Sequence, residues 1–152
     1  MDEGKQLKYG QIRGGEQGYD GILAASQTIL AASGKFVYRT AASTDTFTLA
    51  ADAIGEIAGH MEVEAIATTL GSEKRKIVCD LTAVFRIPIN SGTFVHYMVG
   101  KKCDISISGS VQGAQLGAAT EGTLIIVGGD AVNNAWVDVM INPVKVGATG
   151  VA

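Results

Sequence analysis

From Lys35 to Pro143 short apolar runs alternate with turn residues, whereas the thirty-four residues before them show no such pattern. Gly4, Gly10, Gly14, Gly15, Gly18 and Gly21 punctuate that first stretch, and each glycine in a helix interior costs about 1 kcal/mol relative to alanine. The phrase Ile-Leu-Ala-Ala-Ser occurs at 22–26 and again at 29–33. The two copies fit one short amphipathic helix over 22–33 or two extended segments. Two heptads fall short of the ~3–4 that a coiled coil needs. The pattern predicts an N-terminal arm over residues 1–34, whose apolar side chains lack a core of their own. Tyr9, Ile12, Tyr19, Ile22, Leu23, Ile29 and Leu30 are its candidate contacts, packing either on the chain's own domain or on a neighbouring subunit.

The rest reads as strand. Phe36 and Tyr38 alternate with Val37 and Arg39, and Phe47 and Leu49 with threonines. In 60–65, Met61, Val63 and Ala65 oppose His60, Glu62 and Glu64, a half-buried strand. The clearest run is 77–87, with Ile77, Cys79, Leu81, Ala83, Phe85 and Ile87 on one face; Pro88 ends it or marks an edge. Asn90-Ser91-Gly92 turns into a strand at 93–99, and Cys103, Ile105 and Ile107 mark another. A Gly/Ala/Gln-rich connection over 109–122 leads to Thr123–Val127 and, past a loop, to Ala135–Ile141. With no amphipathic helices between strands, the fold expected is all-β: a single sandwich or partly open β-barrel over 35–143, carrying the arm and a short tail at 144–152.

Composition narrows the function classes. At 152 residues the chain can bury a sizeable core. Apolar residues at 47% and a net charge of −3 argue against disorder and against nucleic acid, whose binders carry a basic stripe. The nearest such feature, Lys74-Arg75-Lys76, reads as a solvated hairpin end. No apolar stretch approaches the ~20 residues of a membrane span, and Asp2 and Glu3 spoil a secretory leader, so synthesis in the cytoplasm is expected. Cys79 and Cys103 are too few for a disulfide scaffold, and buried reduced thiols are the expectation.

Chemistry is sparse. No nucleophile elbow, Walker loop or His-Glu-x-x-His motif occurs, and Arg13-Gly-Gly-Glu-Gln-Gly18 lacks the strand–helix context of a phosphate cradle. The four possible zinc ligands, His60, Cys79, His96 and Cys103, have no clamp spacing. His60, Glu62 and Glu64 share one strand face, which suits acid–base work or a divalent ion, but the polar face of a half-exposed sheet accounts for them better. We therefore expect no catalytic, cofactor or metal site. Trp136 shares its face with Asp138 and Met140, as a core anchor or a subunit-interface residue.

The phrases Ala83-Val-Phe-Arg-Ile-Pro-Ile89, Gly92-Thr-Phe, Gly100-Lys-Lys-Cys-Asp104, Gln112-Gly-Ala and Gly128-Gly-Asp, then Asn133-Asn-Ala-Trp-Val-Asp-Val-Met-Ile-Asn-Pro143, resemble small tailed-phage virion proteins associated with the major capsid protein. The likeness spans about residues 56–144 in phrasing and layout. It implies a capsid decoration (cement) protein on the virion exterior, a homotrimer bound to the major capsid protein, with terminal arms reaching over neighbouring subunits. A tail-tube or head-fibre subunit is the structural alternative, and a small metal-binding β-barrel enzyme the chemical one.

Overall fold

A computed structural model of the chain describes residues 9–24, 27–40, 45–52, 54–62, 66–67 and 74–146. The all-β class holds. Thirteen strands account for the regular structure of the described residues, with two three-residue 3-10 turns. They form two barrels that share a wall.

The N-terminal barrel is a closed ring of β2 (Gly18–Leu23), β5 (Thr46–Leu49), β4 (Phe36–Arg39), β6 (Gly59–Met61) and β8 (Lys74–Val78). Leu23, Val37, Phe47, Leu49, Met61 and Ile77 fill it, with Ile29 and Ala58. Ile29 belongs to a two-stranded ribbon of β3 (Thr28–Ile29) and β7 (Ile66–Ala67). The C-terminal barrel runs β9 (Val84–Ser91), β11 (Val111–Gln115), β10 (Lys102–Ser108), β12 (Leu124–Gly129) and β13 (Trp136–Ile141). It closes because β13 also pairs with β9, Val137 opposite Ile87. β1 (Gly10–Arg13) lies antiparallel on the opening residues of β9, Gly10 facing Arg86.

Strand alternation explains the shared wall. Successive residues of a strand point to opposite faces, and on this wall both faces meet a core. Val37 and Ile77 enter the N-terminal core, while Phe36 and Val78 enter the C-terminal one. His60 behaves likewise beside Met61, and both are fully buried. The expected half-exposed strand at 60–65 is thus corrected at His60, whose face is covered by the second barrel. Glu62 is exposed, and residues 63–65, including Glu64, lie outside the described residues.

Several other expectations change. Residues 10–13, 18–23 and 28–29 are strands, not a coreless arm. Leu23 and Ile29 are buried, each worth roughly 1.5–3 kcal/mol against the entropy of ordering the segment. Glycine hid this pairing: a Cβ on Gly18 would strike the Ile77 carbonyl on the neighbouring strand, so the residues that break helices here are those that let strands approach. The run 77–87 is two strands, because Asp80 Oδ1 accepts from Thr82 N (2.9 Å) and Thr82 Oγ1 (2.6 Å) and turns the chain.

β9 continues through Pro88 to Ser91. Ile89 N donates to Ala135 O of the β13 side (3.3 Å), so the proline nitrogen faces the opposite edge and removes no bond to β13. The segment 93–99 contains a 3-10 turn, His96–Met98, rather than a strand. The connection 109–122 holds β11, which its polar composition concealed. Lys74-Arg75-Lys76 opens β8, with Lys76 opposite Asp20 and Lys74 and Lys76 exposed; the turn expected before it, Gly71-Ser72, lies outside the described residues. Of the tail, Val146 bridges to Ile57, and 147–152 lie outside the described residues.

Candidate functional site

Two features stand apart from ordinary core and surface. The first is a cleft of about 310 Å³ at the edge of the seam between the barrels, lined by residues 9–14, Glu16, Lys35, His60 and Glu62. His60 stands at its inner wall, stacked on Phe85 (4.4 Å between ring centroids) and edge-on to Phe36 (5.0 Å). Its Nδ1–H donates to Glu62 Oε1 (3.3 Å), and Nε2 has no hydrogen-bond partner among the described residues. Burial lowers the His60 pKa, and the positive charge of Lys35 pushes the same way against the hydrogen bond and charge of Glu62. Burial alone would raise the Glu62 pKa, but the His60 hydrogen bond and the charges of Lys35 and Lys76 bring it below its ordinary value. Lys35 is buried and donates from Nζ to Ser33 O (3.0 Å).

The second feature is an apolar end on the C-terminal barrel. The 3-10 turn after β9 presents Val95, Tyr97 and Val99 to solvent. Phe94 N donates to Asn134 Oδ1 (2.8 Å) and Asn134 Nδ2 to Gly92 O (2.9 Å). Those bonds tie this segment to the β12–β13 turn, whose tip carries Val132. Tyr97 is 69% exposed and Val132 90%. Asp130 fixes that turn by accepting from the amides of Val132, Asn133 and Ala135. Lys101 Nζ sits 4.8 Å from the Tyr97 ring centroid, placing a cation at the rim. Sequence pattern misses this end because Val95, Tyr97 and Val99 alternate like a strand.

The residues singled out from sequence scatter. Tyr9 and Ile12 line the seam cleft, and burial raises the Tyr9 pKa. Tyr19 is exposed at the N-terminal barrel, its ring 6.1 Å from that of Phe47. Leu30 is exposed, Ile22 half-buried, and Leu23 and Ile29 are core. Trp136 lies half-buried on the outer face of β13 under the Arg86 guanidinium, 3.7 Å from its ring centroid. Arg86 is held there by Asp138 through bonds of 2.8 and 3.1 Å.

The glycine-rich loop after β1 has its amides engaged within the chain, Gly15 N on Thr82 Oγ1 (3.0 Å) and Gln17 N on Asp80 Oδ2 (3.1 Å). Cys103 is buried, its thiol pKa pushed up to about 12 by that burial, and Cys79 is half-buried. Among the described residues no group of three or more His, Cys, Asp or Glu side chains is placed to hold a metal ion. The chain matches no protein-family model, no curated protein and no solved structure.

Proposed function

We propose that this chain is a structural protein of a tailed-phage virion, a decoration protein that seats on the outside of the capsid. In this reading it binds the major capsid protein as a homotrimer and performs no catalysis. The observation that carries it is the apolar end: Val95, Tyr97, Val99 and Val132 stand in solvent at one end of the C-terminal barrel. Exposed apolar residues gathered in this way suit a docking surface. The phrases that resemble phage virion proteins lie within 83–143, the span of the C-terminal barrel and of this end. Docking through that end replaces docking through residues 10–34, because Leu23 and Ile29 are committed to the N-terminal barrel's core.

Covering a fully exposed apolar side chain contributes up to roughly 1.5–3 kcal/mol, and less at Val95 and Val99, which are already partly covered. A trimer joins three such weak contacts at millimolar effective concentration, enough to clamp a shell. The test is co-sedimentation with capsids assembled from the candidate major capsid protein. The double variant Tyr97→Asp, Val132→Asp should remain folded and bind at least tenfold more weakly; undiminished binding refutes the docking end. Tubes formed by the purified protein alone in electron micrographs would favour the tail-tube alternative.

A further inference from the structure

We propose that His60 is a proton-operated latch on the seam between the two barrels: uptake of a proton at Nε2 drives the seam open. Such a latch operates whatever partner the chain binds. β6 sends Met61 into the N-terminal core and His60 the other way, against Phe36 and Phe85, which also pack on each other (5.2 Å between ring centroids). The imidazole is fully buried, so the seam closes over it.

Its protonation state follows from its partner. A carboxylate only accepts hydrogen bonds, so the proton sits on Nδ1, which faces Glu62 Oε1. Nε2 is then a lone pair without a partner among the described residues. A second proton would convert that lone pair into a charged N–H that no described residue accepts, in a site walled by two phenyl rings. Burying such a group is far costlier than burying the neutral ring.

The surrounding charges do not rescue it. Ahead of β4, Lys35 brings an ammonium that disfavours a second cation. From β1 and the loop after it come Arg13, Glu16 and the Tyr9 hydroxyl at the cleft. β8 contributes Lys76, whose charge acts on Glu62. β9 offers only the Phe85 ring, since Arg86 turns to Asp138. Glu62 is the one described carboxylate in contact with the ring, and it is already engaged at Nδ1. The cheapest accommodation is for the ring to swing into the adjoining cleft, where water can accept from Nε2. That movement takes one ring out of the three-ring cluster that His60 forms with Phe36 and Phe85.

The sign is fixed by linkage. Burial holds the His60 pKa of the closed seam below the ordinary value, so the opened form binds the proton more tightly. The closed seam is favoured fully above about pH 6.5, and the opening constant grows as pH falls below it. The rise approaches tenfold per pH unit until the closed form itself titrates.

The amides of Gly34, Phe36 and Gln112 all bond across the seam, to Gln112 O, Gln112 Oε1 and Ser33 Oγ. Their hydrogen exchange, corrected for the intrinsic pH dependence, therefore reads the opening. We expect a nearly flat opening constant from pH 8 to 7 and a rise of up to about fivefold between pH 6.5 and 5.5. The chain has two histidines, so His96→Gln should keep that rise and His60→Phe should abolish it. NMR titration of the His60 ring in the wild-type protein should give a midpoint below that of a free imidazole. The latch is overturned if His60→Phe retains the rise, or if His60 titrates at or above the ordinary value. Should His60→Phe fail to fold, the wild-type titration alone decides.

Discussion

Removing the Gln112 side chain should be among the most damaging single truncations in this protein. Gln112 is fully buried on β11, yet its amide serves the other barrel. Oε1 accepts from Phe36 N (2.8 Å), and Nε2 donates to Phe36 O (2.8 Å) and Ala50 O (2.9 Å). β5 stops at Leu49, so the glutamine occupies the place where another strand residue would pair with β4. In Gln112→Ala, Phe36 O still accepts from Ala50 N (2.9 Å), but Phe36 N loses its acceptor and Ala50 O its glutamine donor. A buried backbone group without a partner costs about 1–3 kcal/mol, so the two together cost about 2–6 kcal/mol. A domain of this size is stable by only about 5–15 kcal/mol.

Urea unfolding, followed by far-UV circular dichroism and by the fluorescence of Trp136, measures the loss. Gln112→Met separates packing from hydrogen bonding: it restores most of the volume and should recover little stability. Gln112→Glu keeps the acceptor for Phe36 N but aims a carboxylate at two carbonyls. Its carboxyl pKa should therefore be raised in the folded state, and the deficit should shrink as pH falls through that raised value. A loss under 1 kcal/mol in both the alanine and methionine variants would falsify the clasp.

Asp104 is buried beside Cys103 and accepts from Thr120 N (3.1 Å), Glu121 N (3.0 Å) and Gly122 N (2.7 Å). Asp104→Ala should cost about 2–4 kcal/mol by orphaning amides that a carboxylate holds strongly, with faster hydrogen exchange confined to residues 120–122. Gly18→Ala forces a Cβ against the Ile77 carbonyl, so the β2–β8 pairing must shift at about 1–3 kcal/mol. Gly117→Ala, where a Cβ meets nothing within 4 Å, should be neutral in the same melts and serves as the control.

The all-β class is legible because alternation survives wherever one face meets a core, as at Cys103 and Ile105 or along Ala135–Ile141. The N-terminal barrel is hidden for a physical reason. Its strand β2, like β1 on the neighbouring sheet, comes from Gly-rich sequence in which close backbone approach replaces side-chain packing, so the period-2 signal is lost. Both faces of the shared wall are buried, and Phe36-Val37 and Ile77-Val78 read as apolar runs that do not say which core each residue enters. His60 reads as solvent-facing because polarity predicts exposure; its stacking partner Phe85 comes from a strand 25 positions away, which no local pattern reports. Gln112 falls in a stretch with the composition of a connection, and its role depends on contacts 62 and 76 positions distant. The apolar end reads as a strand because alternation cannot distinguish a sheet from an extended turn facing water.

The latch's stacking partner and the docking end are joined by one strand, and the distance between them makes the two proposals separable by experiment. Phe85, against which His60 stacks, is the second residue of β9, and the apolar end begins just past its last residue, Ser91. At about 3.3 Å per residue the two lie roughly 20 Å apart, on a strand paired along both edges to β1, β11 and β13. His60→Phe should therefore leave capsid binding unchanged at pH 8, and the Tyr97→Asp, Val132→Asp variant should leave seam exchange unchanged at any pH. Should lowering the pH weaken capsid binding in the wild type but not in His60→Phe, opening the seam must distort β9 along its length. Equal weakening in both would place the acid sensitivity outside the seam.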